Sequence, residues 1–108
     1  MPDDITPLLL RLIGGNPDAT AEVLELAPLS RSPSLLVAAA LVAQDPEYLA
    51  QAARYASTTR DRQLVALADA DLHGRADLLD ALVRDHLADH PDHLLAAWIA
   101  GRHLPRHH

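Results

Sequence analysis

Five prolines stand where helices can begin, and together they limit this chain to short helical pieces. They occur in the pairs Thr6-Pro7, Asn16-Pro17, Ser32-Pro33, Asp45-Pro46 and His90-Pro91. In four of them the preceding Thr, Asn, Ser or Asp carries an oxygen that can accept a free amide at a helix start. Proline at the first helical position gives up no amide that the helix needs. Between these marks the apolar residues recur at helical intervals. The spacing predicts a first helix with Ile5, Leu8, Leu9, Leu12 and Ile13 on one face, stopped by Gly14-Gly15. A second runs from about Pro17 to Ala27 with Val23 and Leu24 inward, and residues 28–33 form a loop. Residues 35–43 are apolar on every side, as in a helix enclosed by neighbours. A fourth helix, from Pro46 to about Ala56, turns Leu49, Ala52, Ala53 and Ala56 inward.

The rest of the chain, residues 58–104, reads as a hairpin followed by one more helix. Thr58 and Asp61 have capping-box spacing, and Leu64, Leu67, Ala68 and Leu72 form one face. Gly74 permits the left-handed backbone that ends a helix. From Leu79 a second stripe follows through Leu82, Val83, His86, Leu87 and His90, and a last helix starts at Pro91. Seven short helices result. None is long enough to be stable alone, so they must stack as hairpins, giving an all-α fold.

Composition supports this reading and excludes several functions. Leu (21 residues) and Ala (20 residues) dominate, while Phe, Lys and Cys are absent. Helix formers abound and strand formers are scarce. A formal net charge of -6 without Lys opposes binding to a phosphate backbone, so nucleic acid is not expected as a partner. Without Cys there is no disulfide framework, thiolate metal site or cysteine nucleophile. The acidic start, Met1-Pro-Asp-Asp4, is unlike a secretory signal, and no apolar run is long enough to span a membrane. These features lead us to expect a soluble, cytoplasmic protein with one domain over residues 1–104 and a tail over 105–108.

Gly74 and Pro91 have the separation of the inter-helix Gly and terminal Pro in a tetratricopeptide repeat, which sets a register from Arg60 to about His93. On that register Leu67 and Leu79 stand where the repeat prefers small residues, and His86 where it prefers Ala. Thr59-Arg-Asp-Arg62, Gly74, the Leu-rich helix after it, His90-Pro-Asp92 and Leu94-Leu-Ala96 resemble the core of the tetratricopeptide repeat protein 38-like family. Leu64 occupies a position where that family usually has His. The resemblance implies a stacked-helix scaffold with a binding role and no named substrate.

Two groups of residues invite chemistry. His86 and His90 are four apart on one helix face and His93 follows, a spacing that could bring imidazoles to one metal ion. The intervening Leu87-Ala88-Asp89 lacks the Glu of the His-Glu-x-x-His motif, so hydrolytic zinc chemistry has no support. A structural role is the simpler reading, in which imidazoles near a helix C-terminus complement the macrodipole. The acidic residues Asp69, Asp71, Asp77, Asp80, Asp85, Asp89 and Asp92 scatter around their helices, as on a solvated face, and Asp80 with Arg84 has i, i+4 spacing for a surface pair. No phosphate loop or nucleophile elbow is present.

The sequence therefore points to a protein-interaction module that is no enzyme and uses no cofactor. The alternatives are a helical domain binding a ligand or a metal through His86, His90 and His93, and an accessory domain of an enzyme carried on another chain. The last helix bears Leu94, Leu95, Trp98 and Ile99, with Ala97 beside them, and the sequence supplies no later helix to cover them. Either it folds back beside residues 33–56, or two copies meet through the same patch as a homodimer. The odd helix count favours the dimer.

Overall fold

The computed structural model describes residues 6–90 and 93–103. It is all-helical, with seven α-helices and no strand among the described residues: α1 (Thr6–Ile13), α2 (Pro17–Leu26), α3 (Pro33–Ala43), α4 (Pro46–Tyr55), α5 (Thr59–Leu72), α6 (Ala76–Asp89) and α7 (Leu94–His103). A single 3-10 turn, Ala27–Leu29, follows α2 and occupies part of the expected 28–33 loop. Asn16, Ser32 and Asp45 each cap the helix behind them, through bonds accepted from the amides of Asp18, Leu35 and Glu47. Thr58 does the same for α5 without a proline, its hydroxyl accepting from the Asp61 amide at 3.0 Å. At the fifth pair the boundary differs. The helix begins at Leu94, and the expected start at Pro91 lies outside the described residues. Gly15 (φ 88°) and Gly74 (φ 67°) supply the left-handed turns after α1 and α5. Gln44 takes the same conformation at the end of α3, where its backbone amide and that of Asp45 both donate to the Ala40 carbonyl.

Successive helices pack as hairpins, most extensively α3 with α4 and α5 with α6. Packing between alternate helices joins the hairpins, α3 to α5 and α5 to α7, while α4 and α6 also touch the helix that follows them. The middle of the molecule is α3, whose residues 35–41 are all buried. Its uniform apolarity is the sequence signature of that position, since neighbours cover every side. Around it lie Leu8, Leu12, Val23, Leu49, Leu64, Leu67, Leu79, Leu95 and Ile99.

Two expected interfaces are narrower than the spacing implies. On α4, Leu49 and Ala52 are buried, but Ala53 is exposed and Ala56 only half-buried, because α5 covers one side of α4 and leaves the next open. On α6 only Leu79 and His86 are buried. Leu82, Val83 and Leu87 pack at the margin of the core, since α6 lies at the outside of its hairpin.

Candidate functional site

The first site is the junction of α5, α6 and the segment entering α7. His86 sits on the apolar stripe of α6 and is 1% exposed; His93 is 5% exposed. A buried imidazole needs hydrogen-bond partners, because leaving its polar nitrogens unpaired away from water carries a large desolvation penalty. Gln63, one turn into α5, supplies one: His86 Nδ1 lies 2.7 Å from Gln63 Oε1. His93 supplies the other, with its Nδ1 2.6 Å from His86 Nε2. With an amide oxygen on one side, His86 Nδ1 carries the proton and donates it to Gln63. His86 Nε2 then accepts, so His93 Nδ1–H donates to it. The chain Gln63, His86, His93 thus ties three helical segments together. No buried side-chain nitrogen or oxygen among the described residues lacks a partner.

The electrostatics favour neutral His86. Burial lowers its pKa below the ordinary histidine value, and the nearby His90 and Arg60 lower it further, against a smaller opposing pull from Asp89. This favours an uncharged His86 at neutral pH, as a buried link between α5 and the segment entering α7. The His90 ring is tilted against it with centroids 5.0 Å apart, and the His93 ring at 4.9 Å. The three histidines whose spacing could serve a metal ion are thus brought together. Two of them, however, turn their nitrogens directly on each other, and among the described residues no group of three or more His, Asp or Glu is placed to hold an ion. Gln63 was missed in the sequence. The available signal was His86 itself, a polar group on an otherwise apolar stripe that required a partner from the facing helix.

The anticipated interface on α7 is divided by the fold. Leu95 and Ile99 are buried in the chain's own core, and Trp98 packs half-buried against it. Leu94, 53% exposed, and Ala97 remain at the surface. The helix lies mainly on α6 and α5, with α1 also in contact. Closing the stripe within the chain removes most of the patch on which a dimer through Leu94, Leu95, Trp98 and Ile99 would depend.

A second surface opens on the outer side of α4 and α5. It is a shallow groove of about 610 Å³, lined by Pro46, Leu49, Ala50, Ala53 and Ala56 from α4 and its end, and by Arg62, Val65, Ala66 and Asp69 from α5. Small side chains set its depth, and one charge stands at each end of its α5 wall. The acidic residues that invited acid-base chemistry do not converge: Asp69, Asp77, Asp80, Asp85 and Asp89 are exposed on different faces, Asp71 is half-buried, and Asp92 lies outside the described residues. Asp80 accepts from Arg84 at 2.7 Å, as its spacing predicts. Among the described residues no helix is long and apolar enough to cross a membrane.

Comparison with protein-family models, with curated proteins and with solved structures finds no match.

Proposed function

We propose that this chain is a non-enzymatic helical interaction module, built of stacked hairpins in the manner of a tetratricopeptide repeat, that associates with itself. The observation that carries the reading is the α4–α5 groove, an apolar surface floored by Ala50, Ala53 and Ala66 that the chain leaves open. Apolar residues scattered on a surface need no explanation, but a concave apolar strip between two helices is a shape into which another helix fits. The alternate-helix packing of α3, α5 and α7 supports the repeat-like description, since stacked hairpins meet in that way. On this reading the histidine junction is part of the scaffold, fastening the last helix. Light scattering coupled to gel filtration from low to high micromolar concentration tests the proposal. A mass that rises to twice the monomer supports it. A constant monomer mass across the range rules out self-association.

A further inference from the structure

The α5 wall of the groove has a pattern that specifies its own partner. Arg62, Val65, Ala66 and Asp69 lie at positions i, i+3, i+4 and i+7, so they form a single stripe along the helix. A two-fold axis crossing the stripe between Val65 and Ala66 sends Arg62 onto Asp69 and Val65 onto Ala66. The two charges are seven residues apart, about 10.5 Å along the helix at 1.5 Å per residue. Two antiparallel copies of α5 would thus place a cation against an anion at both ends of the contact, with a small apolar centre between them. A two-fold contact requires such self-complementarity.

The charges fit a partner better than they fit their own helix. Arg62 lies near the N-terminus of α5, takes part in none of the ion pairs formed among the described residues, and is exposed. Asp69 lies towards the C-terminus, in a helix whose last turn contains no basic residue. The macrodipole favours the opposite arrangement, with anions first and cations last. An antiparallel neighbour reverses this, bringing the acidic end of one helix to the basic end of the other. Asp69 Oδ1 meets His73 Nδ1 at 3.2 Å, but its side chain is half exposed and can also accept from an arginine across the interface.

We propose that the groove receives a second copy of this chain, α5 against α5 in antiparallel order, with Arg62 of each copy paired to Asp69 of the other. This rests on the self-association reading above and adds the face and the pairing to it. Charge exchange tests it on the full chain, followed by light scattering and native mass spectrometry, with circular dichroism to verify folding. Arg62→Asp alone puts carboxylate against carboxylate at both ends, and Asp69→Arg alone puts guanidinium against guanidinium. Each should weaken the dimer by about tenfold or more. Mixing the two variants restores both pairs and should give a heterodimer. Combining both substitutions in one chain restores them in a homodimer. A wild-type dimer that neither single substitution weakens would overturn the inference and leave self-association standing through another face. Weakened single variants that neither mixing nor combination rescues would overturn the pairing. A wild-type monomer at high micromolar concentration would overturn both.

Discussion

The two sides of α5 are held by different physics. Towards α3 and α4 the buried residues are apolar: α3 buries seven consecutive residues, 35–41, and α4 adds Leu49 and Ala52. Towards α6 and α7 the buried set mixes apolar and polar residues: α6 contributes Leu79 and His86, α7 contributes Leu95, Ala96 and Ile99, and the joint is completed by hydrogen bonds from Gln63 through His86 to His93. Apolar burial is non-directional and tolerant of small shifts, whereas a buried polar chain is favourable only when each member meets its partner. The first side is thus held by apolar burial alone, and the second adds to its apolar contacts a directional joint that fixes where α7 sits.

Substitutions can separate these contributions. The largest effect is expected on the apolar side, where Leu36→Ala removes a fully buried side chain from the enclosed helix. A loss of about 2 to 5 kcal/mol in urea unfolding is predicted. Leu82→Ala, at the half-buried margin of α6, should cost less, about 1 to 2 kcal/mol, because part of that side chain already meets water. If the two losses were equal, the contrast between the sides would fail.

On the polar side, His86→Ala leaves the inward groups of Gln63 and His93 without their partner and opens a cavity. We expect a loss of about 2 to 3 kcal/mol, accompanied by faster amide exchange in α7 than in α3. Uniform exchange across both helices would show that the junction does not position α7.

The same residue makes stability depend on pH. The His86 pKa in the folded chain lies below the ordinary 6.5, so below that pH the unfolded chain binds a proton that the folded chain excludes. Stability contributed by neutral His86 is present above pH 6.5 and falls as pH drops towards the lowered folded value, by up to about 1.4 kcal/mol per pH unit for one proton. His86→Gln should flatten this slope over the same window. A slope unchanged by the substitution would assign the titration to another group.

A smaller effect is expected where the apolar side ends. Gln44 holds a left-handed conformation that glycine adopts without steric cost, so Gln44→Gly should stabilise by about 0.5 to 1 kcal/mol, read as a rise in melting temperature. Destabilisation would mean that the Gln44 side chain makes a contact worth more than the backbone strain.

Much of this architecture is visible in the residues themselves. The caps at Asn16, Ser32 and Asp45, the turn at Gly74 and the enclosed α3 follow from local rules of spacing and backbone geometry. What the sequence leaves open depends on which faces meet. The spacing of α7 shows an apolar stripe without saying what covers it, and Leu95 and Ile99 are covered by helices that precede it. The four-residue spacing of His86 and His90 suggests a shared ligand, but the hydrogen bond of His86 is with His93, seven residues on in the segment entering α7. The groove leaves almost no trace: Ala53, expected to face inward, is open, and alanines at 50 and 66 read equally well as buried or open.

That comparison of α7 with the α4–α5 face is where the account is most exposed. Ala66→Glu places a charge in the centre of the proposed contact, and Leu94→Glu places the same charge on the exposed edge of α7. Light scattering of the two folded variants at a concentration where the wild type is dimeric decides between the surfaces. A monomer is expected for Ala66→Glu and an intact dimer for Leu94→Glu; the opposite result would contradict the contact through the α4–α5 face.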